Sequence, residues 1–237
     1  MVELADLSTE RLEDMAAAGA EVLEVYRLLR KSGDNVVGEV LRGQGEFYEW
    51  DHFPKGDVYD PETHSQYYYH AHPAELRGGE HGHFHTFLRP KGMPSTIAPA
   101  PLADYAPPEG DNDALSHLIG ISMDQYGYPI RLFSTNRWVT GEVWYAANDV
   151  IGMLDLFNMD LAYPSLPANI WITGMLRLFR PDIEELVRAR DQKVAARQQH
   201  SPDTNVYEDR DLEITSFLDI SVEGQIGRIN EALARKQ

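Results

Sequence analysis

The sequence predicts an α+β protein with a mostly antiparallel sheet that carries a histidine-rich hairpin, an N-terminal helix and a C-terminal helical segment. Three observations favour this fold class: an amphipathic first segment, short aromatic-rich segments bounded by turns, and apolar stripes at helical spacing in the second half. A chain of 237 residues is long enough to bury one substantial core. We therefore predict a single domain over residues 1–237.

The N-terminal helix is predicted within residues 1–35. From Ser8 to about Lys31, apolar residues recur at helical spacing, and Ser8 is a residue type that begins helices well. The turn-forming segment KSGDN is expected to end this helix.

The sheet is predicted over residues 45–135. Alternation and aromatic enrichment indicate strands in GEFYEW, SQYYYHAH and HGHFHTFLR, whereas FPKGDVYDPETH between the first two is predicted to be a loop. Residues 90–113 contain six prolines and are expected to form a long loop that could cover a pocket. A further hairpin is predicted from His117 to Thr135.

Helices are predicted over residues 140–200. One apolar stripe runs from Val143 to Phe157, a second helix is expected from about Ala168 to Phe179, and a third begins at Pro181. Residues 210–237 are predicted to add the strand LEITSFLDI and the closing helix VEGQIGRINEALA.

Composition narrows the possible partners and location. The formal charge of −17 repels nucleic acid and anionic membrane surfaces, so neither is an expected partner. No apolar run is long enough to span a bilayer, and the N-terminus does not resemble a signal peptide. The absence of cysteine excludes disulfides and thiolate ligands and fits a reducing cytoplasm. We expect a cytoplasmic protein with a small-molecule substrate, and a homodimer is possible.

Histidines concentrate in the predicted hairpin. The stretch YYYHAHPAELRGGEHGHFH, from Tyr67 to His85, holds five of the nine histidines in the chain. Side chains two residues apart on a strand share a face. One strand therefore presents His70 and His72 together, and the other strand presents a second set: His81, His83 and His85.

Whether the two sets meet depends on the register of the hairpin. If the numbers of cross-strand partners sum to 153, His70 lies opposite His83, and Tyr68 lies opposite His85. The other face then carries a mostly apolar set: Tyr67, Tyr69, Phe84 and Thr86. Because an even sum would scatter these apolar residues over both faces, we predict the odd sum.

Converging imidazoles on neighbouring strands favour a site for one divalent ion. The predicted metal ligands are His70, His72, His81 and His83, and the predicted catalytic residues are Tyr68, His85 and Glu80. Nitrogen-rich ligand sets suit transition metals rather than Ca²⁺ or Mg²⁺. We favour Fe(II), while Zn(II), Mn(II), Ni(II) and Cu(II) are also compatible.

These residues predict a mononuclear non-haem metal-dependent enzyme, of the Fe(II) oxidoreductase or oxygenase type. The alternatives are a zinc-dependent lyase or hydrolase, a non-catalytic metal- or haem-binding protein, and a metal-free polar pocket or solvated strand face. The sequence leaves open whether four further residues join the site: His52, Glu75, His117 and Glu142.

The segments YYYHAHP…EHGHFHTFLR, HLIGISMD, YPIRLFSTNRWVTGEVW and RLFRPDIEEL together resemble a family of uncharacterised bacterial proteins of unknown function. That resemblance implies a bacterial cytoplasmic protein and no particular activity. Two local similarities concern the site alone. His70, His72 and Glu75 resemble part of the cupin metal motif, and HAH…GGEHGHFH resembles the strand arrangement of the α-carbonic anhydrase site.

Overall fold

The computed structural model of the chain describes residues 2–73, 78–102, 105–106 and 108–236. The helices in these ranges are α1 Thr9–Lys31, α2 Val36–Leu41, α3 Arg137–Thr140, α4 Ala147–Met153, α5 Leu166–Leu178, α6 Arg180–His200 and α7 Val222–Ala234. The strands in these ranges are β1 Phe53–Tyr59, β2 Ser65–His70, β3 Gly82–Leu88, β4 Ser116–Met123, β5 Pro129–Thr135 and β6 Ile214–Asp219.

The six strands form one antiparallel sheet in which neighbours in sequence are neighbours in space, in the order β1-β2-β3-β4-β5-β6. Helix α1 packs against α5 and α7, and α6 packs against β4, β5 and β6. The predicted α+β class, with an antiparallel sheet and helices at both ends of the chain, is confirmed. No helix within the described ranges is long and apolar enough to cross a membrane.

The first helix begins where the sequence indicates. The Ser8 side chain accepts a hydrogen bond from the backbone N–H of Arg11 at 3.1 Å, which satisfies one of the free amides of the first turn. Its buried side follows helical spacing through Leu12, Met15 and Val22. This side packs on α5 and fixes one wall of the core.

The register of the β2–β3 hairpin has the predicted sum of 153, with Tyr68 opposite His85 and His70 opposite His83. The apolar face is buried beneath α5. There the Tyr67 hydroxyl donates a hydrogen bond to Asn169 Oδ1 at 2.7 Å, and the Phe84 ring lies 5.4 Å from Trp171. This burial separates the two faces of the hairpin and leaves the histidine-bearing side for a different environment.

The segment before β2 differs from the prediction. GEFYEW contains no strand, whereas FPKGDVY, predicted as a loop, forms edge strand β1. The pairing of β1 with β2 shifts between Phe53 and Val58, where Gly56 and Asp57 have positive φ values of 86° and 62°. The turn-forming residues thus make a bulge in an edge strand, a position where proline is tolerated.

Two helical predictions also needed correction. Helix α2 is absent from the prediction; the side chain of Asn35 caps its N-terminus and accepts a hydrogen bond from Gly38 N–H at 2.9 Å. The stop signal of α1 therefore also contains the start signal of α2. The stripe predicted over 143–157 forms the shorter α4, followed by a 3₁₀ turn at Leu154–Leu156.

Candidate metal centre

Three histidines of the hairpin converge at one end of β2 and β3. One ring nitrogen from each of His70, His72 and His83 lies within 4.8 Å of the other two. His70 ends β2, His83 faces it across the ladder, and His72 follows two residues beyond the strand. The group combines a cross-strand pair with a same-side neighbour, and it could hold a metal ion.

The spacing of the rings suits such an ion. The ring centroids are 4.4 Å apart for His70 and His83, 5.0 Å for His70 and His72, and 5.2 Å for His72 and His83. Metal–nitrogen bonds of about 2.1 Å separate tetrahedral ligand atoms by roughly 3.4 Å. The three nitrogens would thus need to close by at most about 1.4 Å, which is within reach of side-chain rotation. His83 is buried, while His70 and His72 are half-buried.

Glu80 contacts the buried member of the group. Its Oε1 lies 2.7 Å from His83 Nδ1. This contact leaves Nε2 of His83 as the nitrogen that could bind an ion, and it holds the plane of the ring. Carboxylates in this relation to a ligating histidine orient the imidazole and raise its basicity.

Tyr68 and His85 extend the same face one pair further along the ladder. The Tyr68 ring lies 5.5 Å from His70 and 5.2 Å from His85, and the His85 ring lies 4.8 Å from His83. Burial raises the pKa of Tyr68 well above its usual value, so its phenol stays protonated. Tyr68 and His85, two of the three predicted catalytic residues, therefore lie beside the three-histidine group.

His117 and Glu142, whose part in the site the sequence leaves open, are buried and continue a chain of hydrogen bonds from His85. His117 Nε2 lies 2.9 Å from His85 Nδ1, and the His117 backbone N–H donates to Glu142 Oε2 at 2.8 Å. Burial lowers the pKa of His117 to about 3 and raises the pKa of Glu142 to about 7. His117 is therefore neutral at physiological pH.

His81 departs from the predicted arrangement. It precedes the first residue of β3, Gly82, so strand alternation does not set its direction. Its Nδ1 lies 2.6 Å from the Tyr69 hydroxyl, on the apolar side of the hairpin, and its ring stacks on Phe47. His81 is exposed and lies outside the three-histidine group, contrary to the expected common face.

The segment GEFYEW, predicted as a strand, and His52 just after it instead supply ring contacts to the site. The edge of the Trp50 ring meets His72 with centroids 4.2 Å apart, and His52 stacks on Tyr68 at 3.6 Å. Trp50 has φ of 72°, a conformation that bulky residues rarely adopt. The aromatic residues of GEFYEW, which favour a strand in the sequence, make ring contacts with the hairpin: Phe47 with His81, and Trp50 with His72.

A cavity of about 420 Å³ reaches the group from the surface. Phe47, His72, Glu80 and His81 are among the residues that line it. It provides access for a small molecule to the side of His72. Glu75, whose part in the site the sequence leaves open, lies outside the described residues.

The chain was compared with protein-family models, curated proteins and solved structures. The model of a domain of unknown function, DUF6969, matches residues 16–220. The chain belongs to the DUF6969 family. No curated protein and no solved structure matches the chain at a significant level.

The DUF6969 match confirms the resemblance to an uncharacterised family, and neither the cupin nor the carbonic anhydrase family matches. Residues 16–220 include all six strands. The three-histidine group, Glu80, His85 and His117 are therefore parts of the DUF6969 domain itself.

Proposed function

We propose that this protein is a mononuclear non-haem metal-dependent enzyme that acts on a small molecule, with its metal held by His70, His72 and His83. The observation that supports this function is the convergence of three imidazole nitrogens within 4.8 Å of one another, beside a cavity that His72 lines. Three neutral nitrogen donors suit Fe(II), Zn(II), Mn(II), Ni(II) or Cu(II), and not Ca²⁺ or Mg²⁺.

Within this class we propose Fe(II) and an oxidative reaction. Three protein nitrogens on one side of an ion leave positions for substrate and dioxygen, as facial non-haem iron sites do. A bound Fe(II) would supply one-electron chemistry with dioxygen. The aromatic rings of Tyr68, Phe133 and Trp50 contact the group, and Phe133 lies 5.2 Å from His83.

The residues around the group would have separate roles. Glu80 would hold the His83 ring in the orientation that ligation needs, and the protonated phenol of Tyr68 would donate a hydrogen bond to a bound substrate. His85, two ladder pairs further along β3 on the same face, would approach the same substrate from the interior of the sheet.

A zinc-dependent lyase or hydrolase is the second candidate. The pairing of Glu80 with His83 favours it, because carboxylate–histidine–zinc triads are common in zinc sites. We also propose a cytoplasmic location in a bacterium and no nucleic-acid partner. The lack of cysteine supports the cytoplasmic location, and the charge of −17 argues against a nucleic-acid partner.

Elemental analysis of untagged protein tests the metal site. We expect about one transition-metal ion per chain in the wild type and in His200→Ala, whose histidine is exposed at the end of α6. The double variant His70→Ala/His83→Ala should lose this metal because two of three ligands are removed. Retained stoichiometric metal in the double variant would refute the ligand assignment, and a Soret band would indicate haem instead.

Oxygen dependence separates the two candidate reactions. Metal-free protein is titrated anaerobically with Fe(II), and oxygen is then admitted in the presence of candidate substrates. Oxygen consumption coupled to substrate loss supports the oxidative function. Turnover with Zn(II) in the absence of oxygen would instead support the lyase or hydrolase.

A further inference from the structure

A hydrogen bond joins two histidines in the interior of the sheet. His85 Nδ1 on β3 and His117 Nε2 on β4 lie 2.9 Å apart, and both residues are buried. At this separation one nitrogen must donate and the other must accept. The position of this proton therefore decides whether the other ring nitrogen of His85, Nε2, is a hydrogen-bond donor or an acceptor.

The surroundings of His117 indicate where that proton lies. The second ring nitrogen, Nδ1, is 3.4 Å from Thr135 Oγ1, a long contact for a hydrogen bond. His117 is neutral and carries one ring proton. A proton on Nδ1 would leave a buried N–H donor with only this long contact. An acceptor nitrogen in that position costs less free energy, and buried donors without a good partner are accordingly rare in proteins. The proton is therefore on Nε2, and His117 donates it to His85 Nδ1.

This assignment fixes the tautomer of His85. Since its Nδ1 accepts, a neutral His85 carries its own proton on Nε2, the nitrogen that points away from His117. The rings near His85 other than His117 include Tyr68 at 5.2 Å, His70 at 5.4 Å and His83 at 4.8 Å. The His85 ring, which carries this donor, therefore lies beside the group that would bind the metal.

We propose that His117 is a positioning residue that holds His85 as an Nε2–H donor, and that this donor favours an anionic ligand beside the three histidines. The proposal rests on the proposed metal site and adds the chemical class of its ligand. Glu142 supports the arrangement, because its carboxylate accepts from the backbone N–H of His117 and anchors the start of β4. The ligand class is an anion, such as a carboxylate, with a lone pair that accepts from His85.

Nitrogen-15 NMR of histidine-labelled full-length protein tests the tautomers, in the metal-free form and with Zn(II). We expect His85 and His117 both to be protonated on Nε2, with a scalar coupling across the hydrogen bond between them. An Nδ1-protonated His85 would overturn the inference. Metal content measured on the same sample tests the metal site separately, because the tautomer is read in both forms.

Azide binding to Co(II)-loaded protein tests the consequence, and the visible spectrum of Co(II) provides the measurement. In His117→Leu, His85 loses its donor partner and samples both tautomers, so we expect azide affinity to fall about tenfold. His117→Gln keeps an amide N–H near the position of Nε2 and should retain most of the affinity. Equal azide affinity in His117→Leu and wild type, with Co(II) bound in both, would refute the proposal.

If His117→Leu does not fold, the comparison of His117→Gln with wild type remains decisive in combination with the NMR spectra. Retained azide affinity in His117→Gln with an Nε2-protonated His85 supports the inference. A protein that binds no Co(II) in any variant contradicts the metal site itself, which is a different failure from an unexpected tautomer.

Discussion

At the scale of single residues, the site depends on contacts between side chains that strand alternation places together and on others that it cannot anticipate. His70, His72 and His83 follow from register and alternation. The contact of Glu80 with His83 does not, because Glu80 lies just before β3, where backbone direction is set by the connection between strands.

Glu80→Gln is expected to weaken metal binding without changing the ligand count. An amide orients the imidazole less strongly and does not raise its basicity, so affinity should fall by about 10–100-fold. Competition with a chromophoric chelator measures the loss. Glu49→Gln, which changes an exposed carboxylate lining the same cavity, is the matched control and should bind as wild type. An unchanged affinity in Glu80→Gln would contradict the orienting role.

Glu142 is expected to make stability depend on pH. Burial raises its pKa from a usual 4.5 to about 7. Between these values the folded state binds the proton that the unfolded state releases, so the free energy of unfolding falls as pH rises from 4.5 to 7. The contribution is fully present below pH 4.5, is lost above pH 7, and is on the order of 3 kcal/mol.

Urea unfolding at pH 4.5 and pH 7.5 measures this contribution. Glu142→Gln cannot ionise, so the decline between the two values should be smaller than in the wild type by most of that amount. Glu231→Gln changes an exposed carboxylate on α7 and should follow the wild-type curve. Parallel curves for wild type and Glu142→Gln would show that the buried carboxyl does not titrate in this range.

At the scale of elements, the β2–β3 hairpin is the part on which the site depends most. Gly82 begins β3 beside the three-histidine group, and a methyl group there would lie 2.6 Å from the backbone oxygen of His70 and would also overlap the Tyr69 hydroxyl. Moving the backbone of a paired strand costs free energy because its ladder hydrogen bonds must lengthen. The pairing of β2 with β3 would therefore have to open at that point.

Gly82→Ala is expected to destabilise the protein by about 1–3 kcal/mol and to lower metal content. Gly152→Ala is the matched control, because nothing lies within 4 Å of the added carbon and the glycine is in α4. There alanine should be neutral or slightly stabilising. Denaturant unfolding and elemental analysis of both variants measure the difference, and wild-type behaviour of Gly82→Ala would show that β3 tolerates displacement.

Elements were predicted correctly where a local sequence pattern determines them, and incorrectly where contacts distant in sequence do. Alternation with an apolar face was sufficient for β2 and β3, because a wrong register would expose Tyr67 and Phe84. Edge strand β1 was missed because its Pro54 and Gly56 are ordinary turn residues that here form a bulge. The position of the Gly45–His52 segment depends on ring contacts with residues distant in sequence, which a local pattern cannot contain.

At the scale of the whole molecule, the sheet has an apolar face packed under α5 and an opposite face on which the histidines lie together. A metal on that polar face would join β2 to β3 at the end where their ladder stops. Ligands that bind only the folded state stabilise it by mass action. Global stability is therefore a measure of the site that does not depend on knowing the substrate.

Adding Zn(II) at 100 times its dissociation constant is expected to raise the free energy of unfolding by about 2.7 kcal/mol. For a chain of this length that corresponds to a rise in Tm of about 5–11 °C. Differential scanning calorimetry measures the shift. His72→Ala should show a smaller shift than wild type, and His64→Ala, which lies outside the group, should show the full one. A shift in His72→Ala equal to that of wild type would place the binding site elsewhere.

The contact of Trp50 with His72 gives the molecule a built-in optical reporter. Trp50 is 56% exposed, whereas Trp144 and Trp171 are buried and Trp138 is half-buried, so the fluorescence emission of Trp50 should be the red-most of the four. An indole against a ligand ring is within quenching range of any paramagnetic ion on that ring, such as Cu(II) or Co(II). The long-wavelength emission should therefore fall as the ion binds, and Trp50→Phe should abolish that response while the blue emission of the interior indoles persists.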